Sequence, residues 1–550
     1  MDYFNLGEHT RKVTTSSEEA QKWCDRGMIW CFGYNHDESI ACYKKAIEAD
    51  PSCAFAYWGV AYASGCNYNK PWEAFDGDDA TASLSQAFDF SRMAMERIEF
   101  TSESEAALIH AIQERYQARE VPDNEMFCVW NDEYANAMRK VYETYPYDLD
   151  VVTLFGEALM NRTPWALWDL KTGEVPEDAS TAEAVTVLEH ALERDDTYVH
   201  PGVLHMYIHL MEMSPNPERA LRASDALRTL VPDAGHLCHM PTHIDVLCGH
   251  YERVVSSNHE AIKADRKFLE KEGPLNFYSL YRCHNYQFKL YGAMFLGQYK
   301  PAIEAANEMN ATLPEELLMQ TSPPMADWLE GFIAMKQHVY IRFGKWDEII
   351  SQELPDNQDL FCVTTAMLHY AKAVAFAASN RVPEAEAEAE LFEAAVLRVP
   401  ESRMVFNNTC QEILKISREM MLGEIEYRKS NYDSAFAHLR QSVYLDDNLP
   451  YDEPWAWMQP TRHALAALLL EQGHVEESAA VYRADLGLDP TLSRAAHHPD
   501  NIWSLLGYHE CLQRLGKAEE ANIIKQRLDL AKGRTDVLVK SSCFCKQGSF

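Results

Sequence analysis

The stretch WCDRGMIWCFGYNHDESIACYKKAIEADP, residues 23–51, decides the fold of this chain. Trp23 and Gly27 fall on a first predicted helix and Ala46 on a second. Gly27 and Ala46 are small, so the two helices can approach each other closely. Pro51 cannot continue a helix and closes the pair. The stretch is therefore predicted to form a helical hairpin.

The same pattern returns along the chain and matches the template of the tetratricopeptide repeat (TPR), a pair of antiparallel helices. In each copy a small turn residue and an apolar residue precede a second helix. The further copies are GHYERV (249–254), GQYKPA (297–302), GKWDEI (344–349), NRVPEA (380–385), SNYDSA (430–435), GHVEES (473–478) and GKAEEA (516–521). One hairpin cannot cover its own apolar face, so neighbouring hairpins must stack. The sequence predicts an all-α, TPR-like solenoid of helical hairpins, a right-handed superhelix that can close into a ring around a central cavity.

The repeats also suggest how the chain is divided. Two of them begin at Pro201 and Gly235, 34 residues apart, which is the spacing of the template. We predict four parts: N-terminal repeats over 1–200, central repeats with a histidine-rich groove over 201–350, C-terminal repeats over 351–535 and a cysteine-containing tail over 536–550.

Composition narrows the choice of compartment and partners. The chain has 550 residues, of which 47% are hydrophobic, so it can bury a large core. No apolar run approaches the roughly 18 residues that span a bilayer, and the first residues lack the apolar stretch of a signal peptide. We therefore expect a cytoplasmic protein. Its formal net charge of -34 repels phosphate backbones and anionic lipid, which argues against nucleic acid and membrane partners.

The 14 cysteines are scattered singly, and a chain of this size does not need disulfides, so we expect reduced thiols. Cys543 and Cys545 form the one close pair, near the C-terminus. The C-x-C spacing favours free thiols over a zinc or copper ligand pair at this position.

Histidines are concentrated on the predicted inner face. In a TPR the first helix lines the concave groove, and template positions 2, 5, 9, 12 and 13 face inward. With the register set by the turn residues alone, these positions in four repeats hold His205, His209, Glu212, His236, His239, His243, His284, Tyr291, His338 and Arg342. Seven of roughly twenty inner positions are histidine, where the average of 21 in 550 residues gives about one. Chance does not explain this enrichment.

The spacing of these histidines predicts a metal site. His205 and His209 are four residues apart, as are His239 and His243, and both pairs occupy positions 5 and 9 of adjacent repeats. Packed helices lie about 8–10 Å apart, so imidazoles from two helices can meet at metal–nitrogen distances of about 2.0–2.1 Å. Glu212 is predicted to be a further ligand, a second-shell carboxylate or a proton-transfer group. The predicted metal ligands are His205, His209, His239, His243 and His236.

Other residues complete the predicted site. A single buried histidine is more often a hydrogen-bonded core residue than a ligand, and this reading is favoured for His284 and His338 taken alone. The predicted catalytic residues are Glu212, Tyr281 and Arg342. The predicted substrate-binding residues are His284, His338, Tyr291, Asp452, Glu453 and Arg462.

Two stretches resemble a family of TPR proteins from bacteria and fungi with the signature HPGxxHxYIHxxExSxxPERA followed by GHLxHMPxHI. Here they read HPGVLHMYIHLMEMSPNPERA (200–220) and GHLCHMPTHIDV (235–246). AYWGVAYASGCNYNKPW (56–72) and EALMNRTPWALWD (157–169) share the likeness. The resemblance implies the TPR fold and no particular chemistry. Where bacterial forms read roughly YDEPPxWYYPVR, this chain has Met458 and Gln459 in place of aromatic hydroxyls.

Two functions from different classes follow. The first is a metal-dependent enzyme that acts on a small molecule in the groove, because imidazoles with one carboxylate suit zinc, copper or iron better than magnesium or calcium. Copper or iron would make it an oxidoreductase, and zinc a hydrolase or lyase. The alternative is a non-catalytic scaffold that binds a peptide or protein partner. A peptide groove normally presents Lys, Arg and Asn, so the inner residues favour an enzyme, whose reaction stays open.

Overall fold

Capping side chains set the start of both helices of the first hairpin. Ser17 accepts a hydrogen bond from the Ala20 N–H where α1 (Glu18–Phe32) begins. Asn35 does the same for the Glu38 N–H at the start of α2 (His36–Ala49). Both satisfy backbone donors that a helix leaves unpaired in its first turn. The hairpin predicted from residues 23–51 is therefore present.

One tyrosine ring explains two glycines of this region. Tyr43 of α2 is 1% exposed, and its ring lies between Gly27 of α1 and Gly59 of α3 (Ala54–Ser64). A Cβ atom added at Gly27 would come within 2.8 Å of the ring, and one added at Gly59 within 2.4 Å. Three helices can thus pack around a single aromatic side chain because two of them carry no side chain there.

The computed structural model describes residues 3–546, and its chain falls into two compact units. Unit 1 comprises the residues up to Ile244 together with Glu260–Lys271, and unit 2 comprises Asp245–His259 together with the residues from Glu272 onwards. The predicted boundaries at 200 and 350 fall inside these units, and the four-part division stays a prediction. Residues 547–550 of the predicted tail lie outside the described residues.

Unit 1 is built from helices. After α1, α2 and α3 follow α4 (Gly77–Met95), α5 (Glu103–Arg115), α6 (Asn124–Thr144), α7 (Leu149–Met160), α8 (Thr181–Leu192), α9 (Pro201–Glu212), α10 (Leu221–Leu227) and α11 (Gly235–His239). Short 3-10 helices cover Trp72–Ala74, Ile98–Phe100, Asp195–Val199 and Pro217–Ala220. The residues of α12 (Pro241–Leu247) and α13 (Tyr251–Glu272) are divided between the two units.

Unit 2 continues the same pattern of paired helices. Its helices are α14 (Ser279–Leu296), α15 (Tyr299–Ala311), α16 (Glu315–Leu318), α17 (Met325–Ile333), α18 (Met335–Arg342), α19 (Trp346–Ile350), α20 (Cys362–Ala378), α21 (Val382–Val396), α22 (Cys410–Arg428), α23 (Tyr432–Asp447), α24 (Arg462–Glu471), α25 (Val475–Asp485), α26 (Ile502–Arg514) and α27 (Ala518–Lys532). A 3-10 helix covers Arg494–Ala496, and β1 (Met404–Val405) pairs antiparallel with β2 (Asn408–Thr409).

The all-α, TPR-like prediction is confirmed. Each of the seven predicted turn segments separates two helices, as GQYKPA does between α14 and α15 and SNYDSA does between α22 and α23. Gly297 ends α14 in the left-handed region with φ 70°, which a residue without Cβ adopts without strain. The turns could be predicted because the residues that form each one are neighbours in the sequence.

One feature departs from the sequence analysis. The repeat that begins at Gly235 was expected to open with one continuous helix, but the chain breaks between α11 and α12 at Met240 because Pro241 has no backbone N–H to continue the ladder. The sulfur atoms of Cys543 and Cys545 lie close together, and free thiols stay a prediction for this pair.

Among residues 3–546, no helix combines the length and the apolar character that crossing a bilayer requires.

The packing around Tyr43 yields a stability prediction. Gly59→Ala should lower the urea midpoint of unfolding, with a cost of roughly 1–3 kcal/mol, because the new methyl group overlaps a buried ring. Gly77→Ala is the control, since a Cβ at Gly77 meets nothing within 4 Å. Circular dichroism during urea titration measures both. Equal midpoints for the two variants would show that the Tyr43 ring moves aside freely.

Candidate metal centre

Helix α9 carries three of the predicted site residues on one face. All twelve of its residues are buried, as expected for a helix that is apolar around most of its surface. His205, His209 and Glu212 are each 0% exposed. The spacing of four and then three residues places these side chains one above the other along the helix.

The start of α9 is fixed by His200, which is a structural residue. Its Nδ1 accepts the Val203 N–H at 3.3 Å, so its Nε2 carries the hydrogen and donates to Asp150 Oδ1 at 3.1 Å. Burial raises the pKa of Asp150, but hydrogen bonds from His200 and His9 outweigh this and hold that pKa well below its usual range. Both nitrogens of His200 are thus used within the protein.

The other three histidines come from α11 and α12. Gly235 opens α11, and a Cβ atom at this position would lie 1.9 Å from Asp265 Oδ1, so only glycine fits. His236 and His239 lie on α11, and His243 lies on α12 just past the break. All three are 0–2% exposed.

The ring nitrogens of these histidines meet in two groups. His205, His209 and His236 each offer a nitrogen within 4.8 Å of the other two. Within that group His205 Nε2 lies 3.1 Å from His236 Nε2. His239 Nε2 lies 2.7 Å from His243 Nε2. The predicted alignment of His239 with His243 therefore survives the helix break between them.

Glu212 connects the two groups. Its Oε1 lies 2.9 Å from His209 Nδ1, and its Oε2 lies 2.6 Å from His243 Nδ1. A carboxylate only accepts, so both Nδ1 atoms carry hydrogens. In its neutral form each of these two rings then carries its lone pair at Nε2. This is the arrangement in which a carboxylate orients a metal-binding imidazole.

Thr242 indicates which nitrogen of His239 carries the hydrogen. Thr242 donates its hydroxyl hydrogen to the His239 carbonyl at 2.7 Å, which leaves its oxygen to accept from His239 Nδ1 at 3.4 Å. The Nε2 atoms of His239 and His243 then face each other as two acceptors. Two lone pairs at that separation repel unless a proton or a metal ion lies between them.

Neutral imidazoles and short nitrogen–nitrogen distances suit a transition metal. Burial lowers the pKa of His205 to about 3, so this ring is neutral at ordinary pH. Two imidazole nitrogens bound tetrahedrally at about 2.0–2.1 Å lie about 3.3 Å apart. The 3.1 Å between His205 and His236 is close to that value. The donor set of nitrogens with a carboxylate behind them fits zinc, copper or iron.

Aromatic residues that the sequence analysis did not single out surround the first group. The ring centroid of Tyr34 lies 4.8 Å from that of His205 and 5.3 Å from that of His236. Tyr68 lies 5.0 Å and Trp165 6.3 Å from His209 by the same measure. Tyr68 and Trp165 belong to the family-like stretches 56–72 and 157–169, so the signal for them was present in the sequence.

Two of these aromatic residues, Tyr34 and Trp165, have a strained backbone conformation. Tyr34 has φ 54° and Trp165 has φ 60°, values that side chains with a Cβ rarely adopt. Each such residue costs of order 1–3 kcal/mol and persists where the surrounding structure holds it. The fold therefore sustains strain to keep these two rings beside the histidines.

The remaining predicted site residues belong to unit 2 and have partners within it. Arg342 Nη1 donates to His463 Nδ1 at 2.7 Å, and the Tyr291 hydroxyl lies 3.1 Å from His498 Nε2. Arg462 pairs with Asp447, and Asp452 accepts from Asn408 Nδ2 at 2.9 Å.

The other four predicted site residues of unit 2 form ring contacts or hydrogen bonds with neighbouring side chains. The His338 ring lies 4.6 Å from that of Trp457, and the His284 ring lies 4.8 Å from that of Phe406. The Tyr451 hydroxyl donates to Glu453, and Tyr281 stacks on Tyr278 at 5.6 Å. Their catalytic or substrate-binding roles stay predictions.

Comparisons with known proteins agree with the fold. Residues 35–53 match the tetratricopeptide repeat family. No curated protein matches the chain. This match supports the repeat prediction and does not test the longer signature over 200–246.

Solved structures that resemble the chain include the Cut9–Hcn1 hetero-tetramer of the APC/C, with 14% identity, TM-score 0.32 and coverage of 87% of this chain and 74% of that one. Yeast Tom70 has 14% identity and TM-score 0.29, covering 94% and 99%. Ypp1 has 10% identity and TM-score 0.41, covering 95% and 78%.

The double role of Glu212 can be tested without metal. Glu212→Gln has one acceptor oxygen, and its amide NH₂ would face a ring N–H, so one imidazole must reverse its tautomer. In metal-free protein the substitution should speed amide hydrogen exchange in α9 and α12, at a cost of roughly 1–3 kcal/mol.

Glu218→Gln is the matched control, because this residue is exposed and surface substitutions usually cost less than about 0.5 kcal/mol. Hydrogen exchange measured by mass spectrometry compares the two variants. If α9 and α12 exchange at the same rates in both, Glu212 does not hold the two rings.

Proposed function

We propose that this chain is a tetratricopeptide-repeat scaffold whose unit 1 is built around a transition-metal ion at His205, His209 and His236. The observation that carries the proposal is the convergence of three fully buried imidazoles, each with a ring nitrogen within 4.8 Å of the others. Three imidazole nitrogens this close together can bind one transition-metal ion jointly.

A metal-free polar core is the competing explanation. In such a core every ring N–H needs an acceptor and every lone pair needs a donor. Glu212 receives the N–H groups of His209 and His243, which turns their Nε2 atoms towards other imidazoles. The contact of 2.7 Å between His239 Nε2 and His243 Nε2 has the same character. A metal ion at the first group would bind three of these nitrogens at once, and a proton or a second ion would bridge His239 Nε2 and His243 Nε2.

The scaffold is preferred for the chain as a whole. The match to the tetratricopeptide repeat fits a protein-binding function better than it fits an enzyme, since solenoids of this kind use extended surfaces to bind partners. The metal-binding imidazoles are fully buried, so a peptide partner would contact other residues. The metal then stabilises unit 1, as structural zinc does in other proteins.

A metal-dependent enzyme is the second candidate, and one observation favours it. Three imidazoles leave a fourth position on a tetrahedral metal, which catalytic sites keep for water or substrate. In that case a small molecule would be the substrate, and Glu212 would position His209 and His243 rather than act as a base, because both of its oxygens are engaged. A cytoplasmic location is proposed for either function.

Metal analysis tests the bound metal ion, which both proposed functions require. Purified protein should hold about one equivalent of zinc, copper or iron, or about two if His239 and His243 bind as well. His205→Ala and His236→Ala should each lower the content by at least about one equivalent, whereas His190→Ala, whose side chain is 52% exposed, should not. Less than about a tenth of an equivalent after reconstitution with all three metals would refute the centre.

Metal removal separates the two functions. If the ion is structural, a chelator should lower the thermal midpoint of the wild type, since a ligand at 1,000 times its Kd stabilises the folded state by about 4 kcal/mol. Without chelator, His205→Ala should already have the lower thermal midpoint expected of chelator-treated wild type. Adding the chelator should not lower that midpoint further. If the wild type loses its metal with no change in midpoint, the ion does not stabilise the fold and the enzyme becomes the better account.

A further inference from the structure

The C-terminal segment of unit 2 packs onto that unit as a bound peptide would. Beyond α27 the chain is non-helical, and the Lys546 N–H donates to the Cys543 carbonyl at 3.2 Å to form a turn. Asp536 anchors the approach by accepting the Tyr299 N–H at 2.6 Å and the Lys300 N–H at 2.9 Å. Ser542 is 1% exposed, and Cys543 and Cys545 are also buried, whereas Phe544 and Lys546 are half-buried.

Ser542 sits in a polar slot that fits a small hydroxyl side chain. Its hydroxyl donates to the His463 carbonyl at 2.9 Å and is contacted by the Tyr482 hydroxyl. Its own carbonyl accepts from Arg342 Nη2 at 2.8 Å. The surrounding residues therefore form hydrogen bonds with both the main chain and the side chain of Ser542.

Phe544 occupies an apolar slot beside it. A Cβ atom at Gly344 would lie 2.9 Å from Phe544 Cβ, so the absence of a side chain at Gly344 makes room for the ring. The Trp503 ring lies 6.2 Å from that of Phe544. Arg428 donates to the Cys545 carbonyl just beyond it.

The surface that makes these contacts comes from several repeats. Arg342 lies on α18, Arg428 on α22, His463 on α24 and Trp503 on α26, and each is the first helix of its hairpin. First helices form the binding face of tetratricopeptide repeats. Arg342 is 5% exposed and the Arg428 side chain 1%, and both donate to main-chain carbonyls of the tail. Arg428 also pairs with Glu424 at 2.7 Å. Buried donors aimed at backbone carbonyls suit a surface that binds polypeptide.

We propose that this face of unit 2 is a peptide-binding site that recognises a Ser-x-Phe segment, and that the chain's own residues 541–546 occupy it in cis. A partner protein that presents an exposed Ser-x-Phe segment binds here by displacing the tail. The proposal goes beyond the scaffold function by naming its binding face and the chemistry of its ligand, and it does not depend on the metal centre.

The tail competes with any free peptide for the same site. A covalently attached ligand has an effective concentration on the order of millimolar, so a free peptide of the same sequence competes poorly until the tail is released. Releasing the tail should therefore raise the apparent affinity for the free peptide by about tenfold or more.

The test uses full-length protein and a labelled peptide with the sequence of residues 538–546, LVKSSCFCK. The double variant Ser542→Val, Phe544→Ala should release its own tail and bind the peptide at least about tenfold more tightly than the wild type in fluorescence anisotropy. Leu538→Ala is the matched control, because Leu538 is 74% exposed, and it should behave as the wild type. A peptide with both substitutions should not bind the double variant.

The double variant overturns the proposal if it is folded and binds the peptide no more tightly than the wild type does. If it is not folded, hydrogen exchange on wild-type protein decides. Unlabelled peptide at concentrations above a few millimolar should speed exchange of the amides of residues 541–546 by displacing them. Unchanged exchange would show that the tail is a fixed part of the unit 2 core and that the face binds no peptide.

Discussion

The carboxylate of Glu212 is the constraint on which the polar interior of unit 1 depends. A fully buried carboxylate is tolerated only when it is paired, and Glu212 takes one N–H from His209 on its own helix and one from His243 on α12. This ties two helices that are separate in sequence. It also determines that the hydrogen of each ring lies on Nδ1, facing Glu212. The lone pair of each neutral ring is then on Nε2, on the side away from Glu212. The metal-binding chemistry proposed here follows from that choice of tautomer.

The parts of the fold that could be predicted from sequence are those that depend on local chemistry. A turn such as GQYKPA ends one helix and starts the next within six residues, so its meaning does not depend on what packs against it. The histidine face could be predicted for a related reason. Once the turns set the register, helical geometry alone places His205, His209 and Glu212 on one side of α9.

The rest required information about packing between distant residues. Pro241 interrupts the expected helix, yet His239 and His243 still meet, because the side chains converge from two short helices. Tyr34 and Trp165 flank the histidines through strained backbone that no spacing rule indicates. The tail was predicted only as a cysteine-containing end, since its contacts join residues as far apart as Arg342 and Ser542.

The two proposed sites use different polar groups, one in each unit. In the metal centre proposed for unit 1 the convergent groups are imidazole nitrogens, which bind a cation through their lone pairs. In unit 2 the convergent groups are the donors of Arg342 and Arg428, and these match the carbonyls of a polypeptide. Stacked hairpins supply enclosed faces in both units, so the residue type at a few inner positions of the first helices selects the ligand. Under the two proposals, an acceptor-lined face would take a metal ion and a donor-lined face would take a peptide.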